Sequence, residues 1–459
     1  MRSGAAKALP LDESRPVWRL MVVFLIPLML SNVLSSLSQT ANAVYLGRLV
    51  GVHSLAAVSA IFPVVFLLVS FTIGVGSGST VLIGQAHGAR DIVKVKQIAG
   101  STIFVTLVLS LALGVVGGIF SRTLLTLLGT PADIIDISDS YSKITFFCLP
   151  ILFTFLIYTT FLRGTGDTRT PFFALIFSTA LTLLLTPAFI LGWGGLPRFG
   201  TNGAAIGNVA ASVLTLIAML AYLNRTGNEL AFDRQMLANI RPRWDLVGKI
   251  VRLGFPTGIN LVMVSLSEIA VLKFVNGFGS TATAAYGAVN QVVSYVQFPA
   301  ISIGISAAIF GAQAIGARKL ERIPKIVRAA VTLNYVIEGL LILIVYLFSY
   351  AVISLFITDP KTVVIAQRLL HITLWSYAIF GNARVLSGMM LSSGAVLWPT
   401  LLSIASIWGV EVPVAWVLMQ RLGLDGIWYG YPAAFIAGLI MQTTYFQLVW
   451  KRKPPERLV

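Results

Sequence analysis

The sequence predicts an all-α integral membrane protein. It would hold twelve transmembrane helices in two parallel six-helix repeats, related by a pseudo-twofold along the membrane normal. Three observations predict this. First, the 459 residues are 57% hydrophobic and 11% charged, with mean hydropathy +0.87. An ordinary globular chain carries about 25% charged residues. Second, apolar runs long enough to cross about 30 Å of hydrocarbon, roughly 20 residues each, recur along the whole length. Third, the chain repeats itself. Gln85-Ala86-His87-Gly88-Ala89-Arg90 returns as Gln313-Ala314-Ile315-Gly316-Ala317-Arg318, an offset of 228. Gly200, Gly203 and Gly207 return as Gly423, Gly426 and Gly430, an offset of 223. Pro27 pairs with Pro256 and Pro131 with Pro360, each 229 apart, and Pro171 with Pro399, 228 apart. A near-constant offset at independent landmarks marks a duplication.

In chain order the spans fall at 18–46, 53–80, 94–117, 138–161, 170–193 and 203–223. The second set follows at 249–276, 281–310, 327–349, 364–391, 399–420 and 427–450. In lipid only helices and closed barrels satisfy the backbone. These runs are longer than barrel strands and do not alternate, so they read as helices. Pro27, Pro150, Pro187, Pro256, Pro299 and Pro413 fall inside them. Each removes a ladder donor, so each reads either as a kink or as a bend between transport states. The run Gly74-Val75-Gly76-Ser77-Gly78 permits close helix approach. It lacks the lysine and the preceding strand of a phosphate loop. Residues 1–223 read as an N-lobe, 224–248 as a cytoplasmic basic linker, and 249–459 as a C-lobe with a short cytoplasmic tail.

Orientation follows from lysine and arginine. With the N-terminus inside, the cytoplasmic segments hold 24 of the 33 basic residues. The outer loops hold Arg48, Arg122, Lys143, Arg198, Lys361, Arg368 and Arg421. That bias places both termini in the cytoplasm. The first apolar run is too long for a signal peptide and reads as a retained span. The net charge of +16 lies between apolar runs, so it points to topology and anionic lipid headgroups, not to nucleic acid. Cys148 is the single cysteine, and His53, His87 and His371 are far apart. No metal-ligand spacing or nucleophile constellation is present, so no cofactor is expected and an enzyme is disfavoured.

An ionisable residue inside a span is a functional hypothesis by default. The acids read as lying inside the spans are Glu268, Glu338 and Glu411, all in the second half. Glu268 lies eight residues before Asn276, hence about 12 Å from the outer end at 1.5 Å per residue. Ser265 shares its helix face. A carboxylate with nearby hydroxyls suits a hard cation such as Na⁺, or a proton. The alternatives are a pair with Lys273 or a carboxylate wetted from outside. Tyr377 and Asn382 are candidate oxygen donors toward Glu268. Glu411 reads equally as a substrate-cavity acid and as an interhelical partner, with Arg384 as a counter-ion. Glu338 reads as structural. In the first half, Gln39, Thr40, Asn42, Thr186 and Asn208 offer a neutral polar patch, either for substrate or for interhelical hydrogen bonds. In the Gln85–Arg90 and Gln313–Arg318 stretches, Gly88 and Gly316 are expected to take positive φ at a helix end, and Arg90 and Arg318 to hold orientation. Asp167 reads as a helix cap or as a partner of Arg163 or Arg169.

The paired Gln85–Arg90 and Gln313–Arg318 stretches, with Leu162-Arg163-Gly164-Thr165-Gly166-Asp167-Thr168…Pro171, resemble the MATE (multidrug and toxic compound extrusion) family. The second copy of the latter is worn, at Met390-Leu391-Ser392-Ser393-Gly394…Pro399. The resemblance covers almost the whole chain. It implies an inner-membrane antiporter, expected to be a monomer, that exports bulky organic solutes in exchange for Na⁺ or H⁺ through a cavity opened alternately to each side. Sodium-coupled members carry a seventh-helix glutamate to which Glu268 looks equivalent. The first half departs from the pattern. Asn42 and Thr186 stand where the family usually has acids, and neither exchanges a proton near neutral pH. The rival readings are a lipid-linked glycan flippase of the same superfamily, an uncoupled transporter and a membrane-embedded enzyme. A flippase would favour Arg or Lys in its cavity, and the first-half spans have none in their interiors.

Overall fold

The computed structural model describes residues 15–195, 197–453 and 455–459. Among these there is no strand, and eleven single helices are long and apolar enough to span a membrane. They are α1 (Val17–Val50), α2 (Val52–Gly88), α3 (Ile92–Ile119), α5 (Arg169–Leu191), α6 (Thr201–Thr226), α7 (Trp244–Asn276), α8 (Ser280–Gly316), α9 (Leu320–Leu347), α10 (Pro360–Ser392), α11 (Leu397–Leu422) and α12 (Leu424–Arg452). The twelfth, α4, is a broken span, Ile135–Phe147 plus Leu149–Gly164, bent by 52°. The break falls at Cys148, and Pro150 opens the second half. A proline in the first turn of a helix gives up an amide that had no partner there. The expected twelve spans are therefore present, and the fourth is bent.

The prolines act in two ways. Pro27, Pro187, Pro256 and Pro299 sit inside continuous helices. Pro413 follows a π-helical turn, Ile407–Glu411, that interrupts α11. Such turns shift the helix register and occur often at functional sites.

The chain forms two compact units. Residues 30–87 and 91–255 make the first, and residues 15–29, 88–90 and 256–459 belong to the second. In the first unit α5 and α6 pack closely. A methyl group on Gly207 would lie 2.8 Å from the Thr186 Cα, and only glycine permits that approach. The linker is folded onto this unit. Its short helix Arg234–Asn239 is capped by Asp233, which accepts from the Met236 amide. Leu230 and Met236 are fully buried. Lys96 Nζ donates to Asp233 at 2.5 Å and to Gln235 at 3.2 Å. His87 Nδ1 lies 2.8 Å from Glu229.

The second unit is built on α8 and α10, with α9 and α12 against them. Its core takes Val271 and Val275 from α7, Val289, Val292 and Val296 from α8, Leu369 and Leu370 from α10, and Trp428 and Tyr431 from α12. Gly430 plays the part of Gly207. A methyl group there would lie 2.8 Å from the Glu411 carbonyl oxygen.

Two expectations change, on the glycines and on the intramembrane acids, and the cap reading of Asp167 holds. Gly88 and Gly316 are not in the left-handed region; Arg90 (φ 59°) and Arg318 (φ 58°) are. Each arginine lies just past its helix end, where the following amide returns to a carbonyl five residues back, Asp91 to Ala86 and Lys319 to Ala314. That closure needs a positive φ at the intervening residue. Gly88 serves close approach instead, since a methyl group there would lie 2.2 Å from the Gln313 carbonyl oxygen. Asp139 is a further buried acid within a span, in the first half of α4. It is paired, accepting from Ser121 and from Lys143 at 2.7 Å. Asp167 is a cap: it accepts from the Arg169 and Thr170 amides and the Thr170 hydroxyl.

Candidate functional site

Glu268 is held by two helices besides its own. Tyr286 of α8 donates its hydroxyl to Glu268 Oε2 at 2.7 Å. Tyr431 of α12 donates to the same oxygen at 3.0 Å. Hydrogen bonds to a charged acceptor are roughly twice as strong as neutral ones. The other oxygen, Oε1, accepts no hydrogen bond among the described residues. The two tyrosines are themselves fixed by packing. The Trp428 ring centroid lies 5.5 Å from that of Tyr286 and 5.9 Å from that of Tyr431. Phe435 continues the aromatic group, 6.4 Å from Tyr431 and 5.2 Å from Tyr377. The site is therefore a half-buried carboxylate with one oxygen clamped and one free, set among aromatic rings.

Two more groups share this neighbourhood. Glu411, in the π-helical turn of α11, packs its backbone against Gly430, the residue before Tyr431. Glu411 is 4% exposed, and its Oε1 has no hydrogen-bond partner. Tyr377 of α10 is buried and reaches the same aromatic group through Phe435. Among the described residues no ion pair neutralises either acid. Lys273 is exposed and unpaired with Glu268, and the Arg384 guanidinium lies over the Phe380 ring at 5.9 Å. The Trp408 indole N–H donates to the Met263 carbonyl at 3.2 Å, tying the π-helical turn to α7 one and a half turns before Glu268.

The expected residues are only partly brought together. Glu268, Tyr377 and Glu411 form one group. Ser265 shares the helix but makes no hydrogen bond to Glu268. Asn382 turns back on its own helix, donating to the Ala378 carbonyl at 3.1 Å. Tyr286 and Tyr431, the direct partners, were not expected. They stand 18 and 163 residues from Glu268. The one available signal is that Tyr286 and Tyr431 each lie in the first turns of a span.

The neutral patch of the first unit is smaller than expected. Thr186 Oγ1 meets Asn42 Oδ1 at 3.4 Å, joining α5 to α1. Gln39 is exposed and bonds weakly to the Ser35 carbonyl at 3.5 Å, and Thr40 bonds to the Ser36 carbonyl. Asn208 is exposed, and its backbone carbonyl accepts from Ser212. This group can hydrogen-bond but holds no titratable side chain. Among the described residues no three His, Cys, Asp or Glu side chains converge to hold a metal.

Two duplicated six-span units, with the buried acids Glu268 and Glu411 in the second, define a membrane protein of the two-repeat type. The MatE family model matches residues 27–188 and 256–417, two stretches 229 positions apart. The chain belongs to the MATE family. It is 49% identical over 450 residues, 97% of each protein, to the probable multidrug resistance protein YoeA of Bacillus subtilis (strain 168). It is 25% identical over 417 residues, 90% of each, to the multidrug export protein MepA of Staphylococcus haemolyticus (strain JCSC1435). Among solved structures it resembles the outward-facing conformation of a multidrug resistance MATE family transporter of the MOP superfamily, with TM-score 0.87, 20% identity and 98% coverage of both chains. The bent form of the Vibrio cholerae MATE transporter VcmN matches with TM-score 0.84 and 20% identity, over 94% of this chain and 96% of that one.

Proposed function

We propose that this chain is a secondary active antiporter of the cell membrane, with both termini in the cytoplasm. It exports organic, amphipathic or cationic compounds in exchange for Na⁺ or H⁺ by rocker-switch alternating access. The family membership and the multidrug names carried by YoeA and MepA support the substrate class. The observation that carries the coupling is Glu268, clamped on one oxygen by Tyr286 and Tyr431, with a second buried acid, Glu411, packed against Gly430 beside Tyr431. Two acids without counter-ions repel one another, and a bound cation removes that cost. An ion that prefers one conformation over the other links its own flux to that of the substrate. Glu268 is the coupling residue of this reading. Tyr286, Tyr431 and Tyr377 position it, and Glu411 and the Asn42–Thr186 pair supply polar surface for substrate.

The test is efflux of a fluorescent organic cation from proteoliposomes under an imposed Na⁺ or pH gradient. Glu268→Gln should abolish the gradient-driven component while leaving the purified protein monodisperse. Full gradient-driven efflux by that variant would remove Glu268 from the mechanism.

A further inference from the structure

A second group of buried oxygens lies in the second unit and is not used above. Glu338 of α9 is 0% exposed, and neither carboxylate oxygen has a hydrogen-bond partner. Asn334, one turn earlier on the same face, is also 0% exposed, and its Oδ1 is unpartnered. Asn382 of α10, 4% exposed, has an unpartnered Oδ1 as well.

The backbone brings these side chains into one region. The Asn334 and Asn382 amide groups donate to the same carbonyl, that of Ala378, at 2.9 and 3.1 Å. Asn334 Oδ1 lies against the α10 backbone at Gly381, where a methyl group would come within 1.9 Å of it. Asn382 is the next residue. The α8, α9 and α10 helices pack on one another throughout this region.

The chemistry of the group is one-sided. One N–H of each carboxamide is committed to Ala378, and the second N–H of neither reaches any of the four acceptor oxygens, which stay unpartnered. An ionised carboxylate buried without a partner is prohibitively costly. Arg384, two residues from Asn382 on α10, is directed over Phe380 and makes no ion pair among the described residues. A proton on Glu338 would supply one donor to four acceptors. A small hard cation takes several oxygens at once. One formal negative charge matches a monovalent ion, not a divalent one, and among the described residues no group of three or more His, Cys, Asp or Glu side chains forms.

We infer that Glu338, Asn334 and Asn382 form a buried binding site for a hard monovalent cation of sodium's size, separate from Glu268. The site is a structural or coupling ion site inside the helix triad α8–α9–α10.

The test reads binding and not transport. Purified protein is titrated with NaCl against N-methylglucamine chloride at constant ionic strength and pH, and thermal unfolding and calorimetry are followed. The parent and Glu268→Gln should both show Na⁺-dependent stabilisation. Glu338→Gln, which keeps the shape and removes the charge, should weaken Na⁺ binding by at least about tenfold. Asn382→Ala removes one oxygen and should weaken it too, and it serves if Glu338→Gln does not fold. Loss of all Na⁺ dependence in Glu268→Gln would overturn the inference, because Glu268 would then be the only cation site. Unchanged Na⁺ affinity in Glu338→Gln or in Asn382→Ala would overturn it as well. The efflux assay on Glu268→Gln separates these outcomes from failure of the proposed function.

Discussion

At the scale of single residues, backbone conformation and side-chain chemistry part company at Arg90 and Arg318. Both are in the left-handed region, where a non-glycine residue pays about 1–2 kcal/mol through its Cβ. The repeated Gln-Ala-X-Gly-Ala-Arg stretch suggests glycine for that job, because glycine pays no such cost. The structure uses the glycine two residues earlier, for close approach, so two different demands fall on neighbouring positions. Arg318→Gly should therefore unfold at the same temperature as the parent or higher. Arg318→Val removes the same charge and adds a β-branch where φ is positive, and should lower the apparent Tm by about 1–3 °C. Thermal unfolding in detergent compares the two. If both variants shift alike, the charge sets stability there and not the backbone. The same scale explains what could be read beforehand. Glu268 stands out because a carboxylate in an apolar run is costly wherever it faces. Tyr286 and Tyr431 do not stand out, since a tyrosine in a span is ordinary until folding shows what its hydroxyl meets.

At the scale of elements, the linker between the repeats is a packed segment and not a free hinge. Its arginine-rich composition reads as a polar segment between spans and is silent about docking. Docking depends on the long-range contact of Asp233 with Lys96, 137 residues apart. Burial alone would raise the Asp233 pKa. The hydrogen bond from Lys96, the Met236 amide and the Lys96 charge outweigh it and hold the carboxyl below the usual carboxylate range. A lowered folded-state pKa means the contribution is present above the unfolded value and lost as pH falls through the folded one. Linker docking should thus be constant from neutral pH down to about pH 4 and weaken below it. Asp233→Asn removes the charge at every pH. Asp233 is partly exposed, so the ion pair is screened and modest. Tryptic cleavage at Arg234, Arg241 and Arg243 should accelerate about two- to fivefold in that variant, the change expected from a loss of roughly half to one kcal/mol. Cleavage at the parent rate would mean that Leu230 and Met236 hold the linker without help.

At the scale of the whole molecule, the duplication fixes which features are shared and which are not. The shared ones were legible: twelve apolar runs, the basic bias and the proline register follow from lipid as solvent and need no tertiary knowledge. The bend in α4 was not, because Pro150 looks like any other proline in a span until the helix on each side has packed. The difference between repeats is chemical. The two MatE matches place Gln39 opposite Glu268, since 268 − 39 = 229. Gly207 packs on Thr186, and its counterpart Gly430 packs on Glu411, which sets Thr186 opposite Glu411 within two positions. The first repeat is thus neutral where the second carries both acids. If those acids alone tie solute to ion, then Glu268→Gln combined with Glu411→Gln makes the two halves alike in charge. Such a protein should let a fluorescent cation equilibrate across a vesicle membrane but never concentrate it, whichever of Na⁺ or H⁺ is imposed. Uphill efflux that survives the double substitution would place coupling elsewhere in the second repeat, where Glu338 is the remaining intramembrane acid among the described residues. A Glu338→Gln change added to the double variant would then decide between that site and the first repeat.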